Sequence, residues 1–86
     1  MQQDDGSWML DGLMPLSELK ARLEIGESLP DEERGRYNTL AGLLMAVSGN
    51  LPAQGANIVC AHWLFEVVAL EGRRIDKVHA RRTLND

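Results

Sequence analysis

The sequence predicts an α+β domain: two short helices packed on one face of a mostly antiparallel sheet of about four strands, in the order β-α-α-β-β-β. Three observations lead there. Apolar residues recur at helical spacing twice in the first half, as Leu16, Leu19 and Leu23 and then as Leu40, Leu43, Leu44 and Val47. Beyond Asn57 the apolar period falls to two. Helices and strands do not alternate singly, so a parallel sheet of crossover units is not expected. Eighty-six residues allow one domain, and a chain of this size buries about two-thirds of its unfolded surface.

Each element has its own signal. Ser7 to Asp11 alternates between Gly6 and Gly12 and reads as a short strand, with Trp8 and Leu10 on one side and Ser7, Met9 and Asp11 on the other. Pro15 stands where a first helix can begin without missing its amide hydrogen, and Gly26 supplies a stop. Residues 27–36, with Pro30, Gly35 and the run Asp31-Glu32-Glu33, form a solvated loop. Asn38 is a good N-cap for the second helix. Gly42 inside that helix costs about 1 kcal/mol against alanine, which predicts a close approach to the sheet there. Gly49-Asn50 ends the helix, and residues 51–55 turn the chain.

Residues 58–62 and 63–70 read as two strands, the second with Trp63, Phe65, Val67 and Ala69 on one face. Glu71-Gly72 is expected to centre a hairpin, which would set Leu64 opposite His79 and His62 opposite Arg81. Arg73 to Arg82 is the return strand. On it Ile75 and Val78 differ in parity, and a β-bulge near Asp76-Lys77 is needed to point both into one core. The outer face, with Leu64, Val68 and Leu70, is then half apolar and expected to meet another surface.

Composition narrows the function. The chain is 44% hydrophobic and 26% charged, ordinary for a folded protein. No apolar run approaches the roughly 20 residues that span a bilayer, and the polar, acidic start lacks the basic region of a secretion signal. The single cysteine, Cys60, fits a reducing compartment and a small core position. Net charge is −4 but segregated: residues 1–33 hold nine acids and two bases, and residues 34–86 hold seven bases and four acids. Five of those bases, Arg73, Arg74, Lys77, Arg81 and Arg82, fall in the last fourteen residues. The basic set is small and lacks interleaved aromatics, so nucleic acid is not an expected partner.

Catalytic patterns are missing. Ser7, Ser17, Ser28 and Ser48 have no histidine-plus-acid context in sequence, and the glycines form no phosphate loop. His62 and His79 are offset neighbours across the hairpin and make a poor zinc pair. Hard cations suit the carboxylates better: Asp4, Asp5 and Asp11 bracket one short strand beside turn carbonyls, a candidate for weak calcium or magnesium binding. The bland alternative is that these aspartates form turns by bonding their own backbone. Arg73, Arg74, Lys77 and Arg81 are the candidate contacts to an anionic ligand or an acidic partner, or simply lie over the sheet.

Three ordered blocks add a resemblance. Asp5-Gly6-Ser7-Trp8 with Asp11-Gly12, Tyr37-Asn38-Thr39-Leu40-Ala41-Gly42-Leu43, and Phe65-Glu66-Val67 leading into Gly72-Arg73-Arg74-Ile75 resemble the CorC/HlyC transporter-associated domain. That family supplies the C-terminal module of magnesium and cobalt efflux proteins and haemolysin-like proteins. The resemblance runs from Asp5 to Thr83, with residues 1–4 as linker or added residues and 84–86 as a tail. Cys60-Ala61-His62-Trp63 departs from the family pattern, which has a turn into the strand there.

The resemblance implies a non-enzymatic regulatory and interaction domain of a membrane protein that transports divalent cations. It would follow a transmembrane region and a pair of CBS domains, on the cytoplasmic side of the bacterial inner membrane, and self-associate through its sheet face. The related fold is similar to one subdomain of a flavin-binding architecture. No residue here can be assigned to flavin, so bound FAD is not expected, nor any other cofactor beyond weak calcium or magnesium. The alternative reading is a sensor that binds an anionic nucleotide at the basic hairpin.

Overall fold

The computed structural model describes residues 2, 5–26, 28–29, 35 and 37–83. Six elements follow in the predicted order: β1 (Trp8–Asp11), α1 (Leu16–Leu23), α2 (Leu40–Ser48), β2 (Asn57–Cys60), β3 (Trp63–Glu71) and β4 (Arg74–Arg82). The strands make one antiparallel sheet in the order β1-β4-β3-β2. The first strand of the chain therefore lies beside the last. The acidic run Asp31-Glu32-Glu33 lies outside the described residues.

Both helices bury their apolar stripes on one face of the sheet. Leu16, Leu19 and Leu23 from α1 and Leu40, Ala41, Leu43 and Leu44 from α2 meet Leu10, Phe65, Val67, Ile75, Val78 and Ala80 in a single core. Phe65 is fully buried at its centre, where truncation to alanine typically costs 3–5 kcal/mol. Val47 does not join them and is 37% exposed, because the last turn of α2 has run off the sheet.

Several local expectations are corrected. The N-cap of α2 is Thr39, whose Oγ1 accepts from the Gly42 amide at 3.1 Å. Asn38 instead gives its carbonyl to the Leu16 amide at 3.0 Å. The carbonyls of Met14 and Gly12 accept from the Leu40 and Ala41 amides. The β1–α1 connection thus satisfies amides that the first turn of a helix leaves open. Gly42 is needed because a Cβ there would lie 2.7 Å from the Tyr37 Cβ, so the crowding comes from the preceding loop and not from the sheet. Helix α1 stops at Glu24, which takes the left-handed conformation (φ 57°) before Gly26 is reached.

The bulge falls where the parity argument puts it. Val67 pairs with Val78, Ala69 with Lys77 and Leu70 with Ile75, so Asp76 is an extra residue on β4. Val68 is a matching extra residue on β3, and the two offset each other. Ile75 and Val78 both reach the core as a result. So does Leu70, which packs against the core and leaves the outer face it was assigned to. The hairpin turn is Gly72-Arg73, since Glu71 pairs with Arg74. The register accordingly sets Leu64 opposite Arg81 and Glu66 opposite His79, two residues away from the expected pairing.

Candidate ligand cleft and docking face

The helices leave the other face of the sheet uncovered among the described residues. Strand alternation points Val59 of β2, Leu64 and Glu66 of β3, Lys77, His79 and Arg81 of β4, and Met9 and Asp11 of β1 toward it. Val59 is 60% exposed and Val68 36%. Half of this surface is apolar and half charged, a composition that suits contact with another surface.

At one end of this face the chain builds a polar cluster that its sequence does not announce. Asp5 precedes a turn at Gly6, whose φ of 88° suits glycine. The turn folds the Asp5 carboxylate back on Ser7: Oδ1 accepts from the Ser7 amide at 3.0 Å and from its hydroxyl at 2.6 Å. The Ser7 Oγ lies 2.9 Å from the His79 Nε2. Because the hydroxyl hydrogen goes to Asp5, Nε2 is the donor in that contact. Ser7, 4% exposed, is the buried polar residue among those described. These bonds hold the Asp5 carboxyl below its ordinary value of 3.8, with the Ser7 hydroxyl bond as the first cause, the Ser7 amide second and the positive pole of His79 a minor one.

Asp5, Ser7 and His79 thus gather a serine, a histidine and an acid, which the sequence reading of isolated serines missed. Their polarity is opposite to that of a nucleophile. An activated serine gives its proton to histidine, whereas this serine gives it to the carboxylate and receives one from the imidazole. The chain of bonds fastens a turn. Only the separation of 72 residues between Ser7 and His79 hid it.

An open cleft of about 700 Å³ adjoins this cluster, lined by Asp5, Ser7, Leu64, Arg81, Arg82 and Thr83. Arg82 also lies over the Trp63 ring, 5.4 Å from its centroid. A smaller recess of about 270 Å³ on the far side of Arg82 takes in Trp8, Trp63 and Arg22.

The other candidate residues are spread out. Asp11 stands at the far end of β1, four residues of extended chain or about 13 Å from Ser7. Its Oδ1 accepts from the Leu13 amide at 2.9 Å, and Oδ2 lies 3.7 Å from the Lys77 Nζ. Arg74 pairs with Glu71 at 3.0 Å beside the hairpin turn, and Arg73 occupies the turn itself. Along β4 these two sit about 20 Å from Arg81. No group of three or more histidine, cysteine, aspartate or glutamate side chains is poised for a metal among the described residues. Asp4 lies outside them.

The described residues form a small α+β module with one sheet face open, and no helix is long and apolar enough to cross a membrane. Comparison with known proteins gives it a family. Residues 1–83 match the CorC/HlyC family, the transporter associated domain, and the chain belongs to that family. A UPF0053 protein of Synechocystis is 44% identical over 78 residues, and the polyamine export protein of Haemophilus influenzae 33% identical over 78; each alignment covers 91% of this chain and 17% of the relative. The chain thus spans under a fifth of the length of these curated relatives. Among solved structures, the transporter associated domain of a Xylella fastidiosa hemolysin, in complex with magnesium and manganese, superposes with a TM-score of 0.81 at 34% identity and covers 95% of this chain and 94% of that one. The same domain from a CBS domain protein of Porphyromonas gingivalis gives 0.82 at 26% identity, over 96% and 95%.

Proposed function

We propose that this chain is a non-enzymatic regulatory and interaction domain of a membrane protein that transports cations, magnesium or cobalt among them, on the cytoplasmic side of the bacterial inner membrane. The observation that carries the reading is the asymmetry of the sheet, with one face covered by α1 and α2 and the other left uncovered among the described residues, half apolar with Val59 and Leu64 turned outward. Such a face docks on the CBS pair or membrane region of the parent protein, or on a second copy of itself. Arg73, Arg74, Lys77 and Arg81 supply the basic contacts along β4. No nucleic acid and no FAD take part.

Cation sensing belongs to the same reading. The cargo or ligand named for the relatives is cationic in both cases, a polyamine in one and magnesium with manganese in the other. Magnesium keeps several of its waters and needs only one or two carboxylates, which suits Asp5 ahead of β1, with Asp4 next to it in sequence. Asp11, already held by Lys77, is a second and separate position. Binding at either is weak.

Sedimentation together with calorimetric titration of calcium and magnesium tests the proposal. Concentration-dependent association that Val59→Glu abolishes supports the docking face, and saturable heat lost in Asp5→Asn supports the cation site. A monomer at all concentrations that also fails to bind the remainder of its parent protein would overturn the docking reading.

A further inference from the structure

Among the described residues, Arg22 pairs with Glu18, Lys77 with Asp11 and Arg74 with Glu71. Asp5 and Arg81 do not pair. Asp5 and Arg81 line the same 700 Å³ cleft, yet the Arg81 guanidinium has no hydrogen-bond or ion-pair partner among the described residues. Opposite charges held in one cleft and kept apart are complementary to a ligand that carries both signs.

We propose that this cleft binds a small dipolar molecule, an ω-amino acid in class, with its ammonium at Asp5 and its carboxylate at Arg81. The Asp5 carboxylate is preorganised: both bonds from Ser7 use Oδ1, which leaves Oδ2 with acceptor capacity for an ammonium group. His79 holds Ser7 from the other side, so little ordering remains to oppose binding. Leu64 lines the cleft beside Arg81, on the β3 side, and offers an apolar wall to the ligand's methylenes. At the anionic end Arg82 adds a second cation whose position is set by Trp63, and the planar fork of Arg81 suits a carboxylate. A purely anionic ligand would meet Asp5, and a diamine long enough to cross the cleft would meet both arginines, which a metal ion held at Asp5 alone would not. The site shares Leu64 and Arg81 with one end of the docking face, and its test uses a small molecule alone, with no second protein.

Amide chemical shifts read the prediction directly. The probe is 4-aminobutyrate, with butyrate and butylammonium as controls that each lack one charge. The expected result is saturable shifts at Gly6, Ser7 and Thr83 with 4-aminobutyrate, and binding weaker by about tenfold or more for either control. Arg81→Ala, which removes no side-chain hydrogen bond or ion pair among the described residues, should weaken 4-aminobutyrate to the level of butylammonium. Asp5→Asn should weaken it to that of butyrate. Equal binding of a control, shifts confined to other residues, or no shifts with any probe would overturn the assignment. None of those results bears on association of the sheet face, which is measured without any amino acid present.

Discussion

Ser7 shows how much one small side chain can organise. Its hydroxyl and amide both reach Asp5, and its oxygen receives His79, so the N-terminal turn is tied to the last strand through three residues. The pH dependence follows from Asp5. Its pKa is lower folded than unfolded, so its contribution to stability is fully present above the unfolded value near 3.8. That contribution disappears as pH falls through the depressed folded value. Urea unfolding should therefore find Asp5→Asn less stable than the parent sequence at neutral pH, with the gap narrowing as pH falls below the unfolded value of 3.8; a gap that stays constant would show that the bond is not charge-assisted. Gly12 is the second position where a single atom decides. A Cβ there would fall on the Ile75 carbonyl, 2.9 Å from its carbon. The strain would be in the backbone, next to the point where the Gly12 amide donates to Asp76 and its carbonyl accepts from Ala41. Gly12→Ala should cost about 1–3 kcal/mol, seen as a lower urea midpoint with an unchanged slope.

Elements were more legible in the sequence than their ends. Period alone placed both helices and the strands, because leucines three and four apart and side chains two apart report burial directly. It also located the β4 bulge, since Ile75 and Val78 could share a core in no other way. Ends depend on bonds that period does not carry. Thr39 rather than Asn38 caps α2 because residues 12–16 run alongside and use the Asn38 carbonyl. The hairpin slipped by two because Glu71-Gly72 and Gly72-Arg73 each place one glycine in a two-residue turn. The Asp5–Ser7–His79 cluster had no local signature at all. The β2–β3 turn is the clearest departure from local preference. Ala61 and His62 both have positive φ, 54° and 70°, as a two-residue hairpin requires, but asparagine and glycine suit that geometry better. Thr83 helps hold it, its amide and hydroxyl both donating to the His62 carbonyl. The double substitution Ala61→Asn/His62→Gly should stabilise the fold by about 1–2 kcal/mol. That corresponds to a melting temperature higher by several degrees, about 4–8 °C per kcal/mol in a domain of this size. No rise on a thermal melt would mean that the turn is not strained.

At the scale of the molecule, β1 and β4 are neighbours although nearly the whole chain separates them, so the fold closes on itself. Trp8 lies opposite Ala80, and Gly6 and Thr83 come out at the same end of the sheet. Tension drawn through Gly6 and Thr83 would therefore load the β1–β4 ladder one rung at a time, because its bonds run across the strands and would part in sequence. Optical-trap extension should show β1 peeling away at low force, well below that needed when the same domain is held through residues at opposite ends of β3. Equal forces in the two geometries would count against this unzipping. Such a weak seam would let a pull on the edge strand undo β1 and, with it, the Ser7–His79 bond at the start of the zipper.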